Sequence, residues 1–192
     1  MIRSFISIDI PDELKKEVKA LQELFRKCDA DVRWTRPEAM HLTLKFLGNV
    51  EEKQVEEIKT ILKEIALQTP LINIKLNGAG VFPNQKAPRV LWVGIIEKDG
   101  ILDNLQKRMD AELLKIGFEK EKRDFKPHLT LGRIRSQKGK ERLVKLLEDA
   151  KDKEFGVFTA EDIKLMKSEL RPEGSVYTEL ARFGFKRTEE KM

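Results

Sequence analysis

The tetrapeptide His-Leu-Thr-Leu occurs twice, at residues 41–44 and 128–131, and the two copies contain both histidines of the 192-residue chain. The surrounding elements also repeat, at an offset of 86 to 89 residues. A fixed period with a matching order of elements indicates an internal duplication. We therefore expect one domain over residues 1–192, made of two similar halves (about 1–88 and 89–192) that pack around a pseudo-twofold axis.

Hydrophobic periodicity gives the same order of elements in both halves. Apolar residues at helical spacing predict amphipathic helices at residues 12–27, 51–67, 100–117 and 140–150. Asp12 is the expected N-cap of the first helix, and Gly117 the expected C-cap of the third. Alternating or apolar runs predict strands at residues 5–10, 41–47, 71–76, 89–96, 128–134, 158–166 and 176–183. The fold class is therefore α+β, and the last strand is expected to return to the first half.

Composition sets limits on location and partners. Cys28 is the only cysteine, which excludes an internal disulfide and a cysteine-rich metal site. The net charge of +5 and the pI of about 9.2 favour polyanionic partners only weakly, because 33 acidic residues offset 38 basic ones. The N-terminus lacks the features of a signal peptide, and no apolar run is long enough to span a bilayer. We expect a cytoplasmic protein with no membrane partner.

The two His-Leu-Thr-Leu strands are each expected to have one polar and one apolar face. Side chains alternate along a strand, so His41, Thr43 and Lys45 would share one face. The other face would carry the two leucines and Phe46. The second copy places His128 and Thr130 on one face in the same way. With the leucines in the core, both imidazoles and both hydroxyls would face a common cleft.

Two imidazoles across a cleft suit acid–base catalysis. With an ordinary pKa near ~6.5, one ring can be neutral and the other protonated near neutral pH. One can take a proton from a nucleophile while the other donates a proton to a leaving oxygen. The two threonine hydroxyls could hold the non-bridging oxygens of a phosphate. Several basic residues flank the motifs and could add positive charge: Arg33, Arg36, Arg123, Lys126 and Arg133.

Other chemistries fit the sequence less well. A histidine metal site would need further ligands, and no nearby carboxylate has a recognised ligand spacing, so no metal and no cofactor are expected. The sequence has no P-loop, no G-x-S-x-G elbow and no cysteine nucleophile pattern. The glycines at residues 77–84 lack the strand–loop–helix context of a dinucleotide site, and they favour a hairpin or loop.

These motifs give the chain a resemblance to a known family. The paired motifs match the H-x-T-x signature of the two-histidine phosphoesterases. The sequence is most similar to the bacterial and archaeal RNA 2′,3′-cyclic phosphodiesterases, also called 2′-5′ RNA ligases. The resemblance covers nearly the whole chain. It includes RSFISIDIP near the N-terminus, WTRPEAMHLTLKFLG at 34–48, PHLTLGR at 127–133 and SVYTEL near the C-terminus.

The resemblance implies a fold and a reaction. The fold would be bilobal, with two antiparallel sheets facing across a cleft and helices outside. The reaction would be metal-independent hydrolysis of an RNA 2′,3′-cyclic phosphate to a 2′-phosphate, reversible as 2′-5′ ligation without ATP. His41 would donate the proton to the leaving oxygen, and His128 would activate water. Thr43 and Thr130 would bind the phosphate, and Arg133 matches an arginine that often follows the second motif.

Some assignments stay open in the sequence. Strict alternation would point Arg133 towards the leucines, so a role in the cleft needs a twist or a strand end there. Lys45, Arg33 and Trp34 are further candidates for substrate contacts, although Trp34 fits the core equally well. The expected partner is RNA with 2′,3′-cyclic phosphate ends, such as tRNA halves, bound by a monomer. The alternatives are a phosphodiesterase for a small nucleotide such as an ADP-ribose cyclic phosphate, and a non-catalytic RNA-binding module.

Overall fold

The computed structural model describes residues 1–172 and 174–187, and it confirms the α+β class. The α-helices in this part of the chain are α1 (Asp12–Arg26), α2 (Glu52–Gln68), α3 (Ile101–Leu114) and α4 (Lys140–Ala150), with a short 3₁₀ helix at Pro37–Ala39. The strands are β1 (Ile2–Asp9), β2 (Val32–Trp34), β3 (His41–Val50), β4 (Ile72–Phe82), β5 (Val90–Ile96), β6 (His128–Ile134), β7 (Glu154–Ala160), β8 (Asp162–Arg171) and β9 (Gly174–Gly184).

The strands form one antiparallel sheet rather than the expected two. Its order is β7-β4-β5-β6-β3-β1-β8-β9, and β2 pairs with β6 beside this path. The strands that carry the two motifs, β3 and β6, meet in the middle through the pair Leu42 and Leu129. The two expected sheets are therefore four-stranded halves of a single sheet, joined by this narrow contact.

Each half of the sheet contains strands from both repeats. Strand β4, from the first repeat, pairs with β5 and β7 of the second. Strand β8, from the second repeat, pairs with β1 of the first and carries the last strand, β9, on its other edge. The two repeats thus exchange equivalent strands across the centre of the sheet.

The sheet curls so that its two ends approach each other. Strand β7 lies at one edge, whereas β8 is next to the opposite edge, and Glu161 alone connects them. The Cα atoms on either side of a single linking residue can be at most about 7 Å apart. Both ends of the sheet must therefore come together at Glu161, which gives a half-barrel. The strand expected at 158–166 straddles this corner and is in fact two strands.

The helices cover the leucine face of the sheet, and one continuous core lies between the two layers. Leu42, Leu44, Leu129 and Leu131 are buried in this core, which confirms the orientation predicted from alternation. Helix α1 begins at residue 12 as predicted, but Pro11 rather than Asp12 is the N-cap, and Asp12 lies in the first turn. Within the described residues, none of the helices has the length and apolar character needed to cross a membrane.

Both motif strands contain a β-bulge at the same position. Leu44 lies between two residues of β3 that pair with consecutive residues of β1. Leu131 lies in the same way between two residues of β6 that pair with consecutive residues of β5. An extra residue shifts the alternation of side chains by one position. Strict alternation therefore holds only as far as each bulge, 87 residues apart in the two repeats.

Gly132, directly after the second bulge, leaves room for β2 to pack closely against β6. A Cβ atom at this position would lie 2.6 Å from Val32 Cγ1 and 3.0 Å from the carbonyl oxygen of Arg33. Both of these residues belong to β2, which pairs with β6 through Trp34 and Gly132. The absence of a side chain at this position therefore allows β2 to reach the edge of the cleft.

We expect Gly132→Ala to destabilise the protein by about 1–3 kcal/mol, the usual cost of overpacking a tightly packed position. Urea unfolding measures this change. Gly184→Ala is the matched control, because a Cβ there would meet only one atom, at 4.0 Å. The control should change stability by less than about 0.5 kcal/mol. Equal stability of the two variants would contradict the close packing of β2.

Candidate active site

The register between β3 and β6 brings the two motifs together at the centre of the sheet. Leu42 and Leu129 are paired in antiparallel register. One residue to either side of this pair, each histidine lies across from the threonine of the other motif: His41 from Thr130, and His128 from Thr43. All four side chains lie on the face opposite the buried leucines. The histidines are diagonal neighbours, which in a regular antiparallel ladder are about 7–8 Å apart at the backbone.

A cleft of about 520 Å³ lies over this face of the sheet. Of the residues predicted from the sequence, it is lined by His41, Thr43, Thr130, Arg33, Trp34 and Arg133, together with Arg36. His128 occupies the adjacent position on the same face but does not line this cleft. Arg123 and Lys126 are exposed and lie outside it. The structure thus brings together most of the predicted set.

The bulges correct three assignments that rested on alternation. Lys45 was expected beside His41, but it points into the core, where it forms an ion pair with Asp110. It is therefore not a substrate contact. Phe46 was expected in the core, but it lines the cleft and is 64% exposed. Arg133 is equivalent to Phe46 in the second repeat. The bulge at Leu131 therefore turns the side chain of Arg133 away from the core and towards the cleft.

The ring of His128 is tethered by a carbonyl group two residues earlier in the chain. His128 Nδ1 lies 2.6 Å from the carbonyl oxygen of Lys126. The backbone of Ala39, two residues before His41, favours the protonated form of that ring and so raises its pKa. A carbonyl oxygen only accepts, so Nδ1 of His128 carries the proton. In the neutral form of His128, this fixes the tautomer and leaves Nε2 free to accept a proton.

His41 lies between two aromatic rings that cover part of its own ring. Phe5 stacks on it at 4.7 Å between ring centroids, and Tyr177 meets it edge-on at 5.1 Å. This burial lowers the pKa of His41 from 6.5 to about 4, although the backbone of Ala39 and the charge of Asp9 favour the protonated form.

The environment of His128 also lowers the pKa of its ring. Phe82 meets its ring edge-on at 5.0 Å between centroids. Burial lowers the pKa of His128, opposed by the bond to Lys126 and reinforced by the charge of Arg133. Without ligand, both rings are therefore neutral near pH 7. This differs from the expectation of one neutral and one protonated ring.

Sequence reasoning missed several aromatic residues of the site. Phe5 reaches His41 from the neighbouring strand β1, and Tyr177 reaches it from β9, two strands further along the sheet. Tyr177 is the only tyrosine of the chain, but no local pattern indicates that it contacts His41.

Arg36 connects the loop before the first motif to strand β9. Its Nη2 donates a hydrogen bond to the carbonyl oxygen of Ser175, 3.0 Å away.

Comparison with known proteins places this arrangement among phosphoesterases. Residues 8–92 and 96–177 match the family described as LigT like Phosphoesterase. The RNA 2′,3′-cyclic phosphodiesterase of Methanothermobacter thermautotrophicus is 34% identical over 182 residues, which cover 95% of this chain and 98% of that protein. The enzyme of the same description from Methanocaldococcus jannaschii is 39% identical over 176 residues, covering 92% and 96%.

A solved structure shows the same fold. The crystal structure of TT0787 from Thermus thermophilus superposes with a TM-score of 0.82 at 25% identity. The superposition covers 98% of this chain and 100% of the Thermus thermophilus chain. The curled sheet and its outer helices are therefore shared over essentially the full length of both proteins.

We expect both histidines of the ligand-free protein to titrate below pH 6.5, with His41 near pH 4. Because an anion stabilises the imidazolium form, adding inorganic phosphate should raise both pKa values. Phosphate binding is then coupled to proton uptake by the two rings. The affinity for phosphate should therefore fall as the pH rises from about 5 to about 8, a window around the ordinary pKa of histidine. NMR of the ring signals measures this, with His41→Gln to assign them. A ring that titrates above 6.5 without ligand would contradict the burial argument.

Proposed function

Because the chain belongs to the LigT-like phosphoesterase family and is homologous to RNA 2′,3′-cyclic phosphodiesterases, we propose that it hydrolyses 2′,3′-cyclic phosphate ends of RNA to 2′-phosphates. The family resemblance seen in the sequence is confirmed by these matches. Water attacks the phosphorus atom, the bond to the 3′ oxygen breaks, and the products are a 2′-phosphate and a 3′-hydroxyl. Apart from this water, no oxidant, nucleotide or second substrate is consumed.

The observation that carries this proposal is the crossed pairing of the two motifs on one sheet face. In-line displacement needs a base beside the attacking water and an acid beside the leaving oxygen, on opposite sides of one phosphorus atom. The register supplies two imidazoles at diagonal positions, with a threonine hydroxyl across from each. A phosphate between the rings would have Thr43 and Thr130 within reach of its non-bridging oxygens, and Arg133 nearby to offset their charge.

We assign His128 as the base and His41 as the acid. The tether from His128 Nδ1 to the carbonyl of Lys126 leaves Nε2 free to take the proton of the attacking water. His41 must be protonated to act as the acid, and burial opposes this in the free protein. The negative charge of the bound phosphate offsets that cost, and Asp9, paired with His41 across β1 and β3, adds to the effect. An imidazolium with a low intrinsic pKa is also a stronger proton donor.

The remainder of the cleft suits an RNA end. Its volume of about 520 Å³ exceeds the space that a phosphate alone needs. Phe46 offers an exposed aromatic face on which a base can stack. The rim residues Arg33 and Arg36 can contact backbone phosphates. Trp34 lines the cleft and also packs against the core, with the guanidinium of Arg26 5.0 Å from its ring centroid.

The same geometry supports ligation, in which a hydroxyl group of a second RNA replaces water as the nucleophile. An RNA 5′-hydroxyl takes the place of water, His128 removes its proton, and His41 protonates the departing 3′ oxygen. The product is a 2′-5′ phosphodiester bond. The strain of the cyclic phosphate drives the step, so no ATP is required. Cytoplasmic tRNA halves with cyclic phosphate ends would be one source of both reactants.

We expect the protein to convert a short RNA with a 2′,3′-cyclic phosphate into the 2′-phosphate, equally well with and without EDTA. Replacing His41 or His128 by alanine should lower kcat about 10²- to 10⁴-fold, the usual loss for one general acid or base. The double variant should lose less than the product of the two single losses, because the residues act as a unit. Product analysis by NMR identifies the phosphate isomer.

Arg123→Ala is the matched control for these variants, because Arg123 is exposed and outside the cleft. It should leave kcat unchanged. A wild-type protein that binds the RNA without turnover would show a binding module instead. Faster turnover of ADP-ribose cyclic phosphate than of the RNA would identify a small-molecule enzyme. Loss of activity in EDTA, with recovery on adding a divalent metal, would contradict the two-histidine mechanism.

We expect Phe46→Ala to raise KM for the RNA while changing kcat little, because base stacking contributes about 1–3 kcal/mol per base. Val157→Ala is the control, since Val157 is an exposed apolar residue, 73% accessible, on β7 and outside the cleft. Steady-state kinetics on the same cyclic-phosphate RNA separate the two parameters. An unchanged KM in Phe46→Ala would remove Phe46 from the substrate contacts.

A further inference from the structure

Each buried position of helix α1 has a buried counterpart in helix α3, 88 residues further along the chain. The equivalent pairs are Leu14 and Leu102, Val18 and Gln106, Leu21 and Met109, Gln22 and Asp110, and Phe25 and Leu113. Among these pairs, only Gln22 and Asp110 are polar in both repeats. Gln22 is 1% exposed and Asp110 is 8% exposed. Buried polar side chains are costly unless they are hydrogen-bonded, so their partners indicate what they do.

Gln22 contacts the bulge of the second motif. Its Nε2 donates to the carbonyl oxygen of Leu131, the bulge residue of β6, at 2.8 Å, and to that of Thr35 at 2.7 Å. The backbone N–H of Thr35 also donates to the Leu131 carbonyl, at 2.9 Å. The carbonyl of the extra residue is therefore held from two directions inside the core.

Asp110 contacts the first motif. It forms an ion pair with Lys45, the residue directly after the bulge at Leu44. Lys45 Nζ also donates to the carbonyl oxygen of Glu119 at 2.7 Å, and Gln106 Nε2 donates to Asp110 at 3.0 Å. A strand without the bulge would turn Lys45 towards the cleft and break this pair, leaving Asp110 buried without its counter-charge.

Both contacts cross between the repeats. Helix α1 belongs to the first repeat, but it contacts the bulge at Leu131 in the second motif strand. Helix α3 belongs to the second repeat, but it contacts Lys45, next to the bulge in the first motif strand. Equivalent helix positions thus reach equivalent points of the opposite motif, although one contact is an amide–carbonyl bond and the other an ion pair. Packing alone would not require a polar group at either position.

We propose that Gln22 and the Lys45–Asp110 pair are positioning residues, which hold the two bulges in place, keep the residues after them facing the cleft, and fix the exact position of the histidine and threonine before them. The proposal rests on the proposed function. The bulges decide whether Phe46 and Arg133 face the cleft or the core. A loosened bulge changes the orientation of the preceding histidine and threonine, and misplacement of about 1 Å can cost roughly 10²-fold in rate.

The test uses Gln22→Leu, and the double variant Lys45→Met/Asp110→Leu, which replaces the ion pair by apolar groups of similar size. Leu143→Ala is the control for general destabilisation, because Leu143 is a core residue of α4, 1% exposed. All are compared with wild type at a temperature where circular dichroism shows each to be folded. Because the chain has two histidines, NMR gives two sets of ring signals.

We expect kcat to fall about 10- to 100-fold in both bulge variants. KM should rise as well in the double variant, because Phe46 follows the loosened bulge. The His128 ring signals should move in Gln22→Leu while those of His41 stay in place. The His41 signals should move in the double variant. Leu143→Ala should lower Tm but leave kcat and both rings unchanged.

Folded variants with wild-type kcat and unmoved ring signals would overturn the proposal. Ring and kcat changes in Leu143→Ala as large as those in the bulge variants would also overturn it, since they would show a general effect of stability. Should Gln22→Leu not fold, the double variant decides the outcome from the His41 signals. A wild-type protein without turnover would refute the proposed function alone, because the ring signals report on the bulges independently of activity.

Discussion

The pair of Leu42 and Leu129 sets the relative position of the two motifs at the centre of the sheet. Both histidines and both threonines lie one residue from this pair, on the opposite face of the sheet. A change of register by one residue would turn one of the two motifs over and place its histidine in the core, because side chains alternate along a strand. The buried leucines therefore anchor the site as well as the fold. The helices stabilise this register by covering the leucine face.

Much of the fold was predictable from the sequence, because its signals are local. Helical spacing located the four predicted helices to within a few residues, and the alternation in each motif placed the leucines correctly in the core. The order of the strands was not predictable, since pairing across the sheet depends on residues far apart in the chain. For the same reason, the sequence did not predict the single sheet, the short strand β2 or the corner at Glu161.

The errors in the site have one physical origin. A bulge depends on the partner strand, so the sequence of β3 alone could not show that Lys45 and Phe46 exchange faces. Arg133 was assigned to the site by family resemblance, against strict alternation, and the second bulge accounts for it. Tyr177 and Gln22 were missed because each reaches the motifs from another element. Two bulges at equivalent positions were detectable only by comparing the two repeats in three dimensions.

The exchange of β4 and β8 between the halves of the sheet has a consequence for the origin of the chain. A single free repeat would lack one strand of its own half of the sheet. Two identical copies could restore both halves by swapping that strand, and the cleft would then contain one histidine from each subunit. The present fold is equivalent to such a swapped dimer with its two chains joined. Joined copies need not stay identical, and the equivalent positions Phe46 and Arg133 present an aromatic ring and a guanidinium to the cleft.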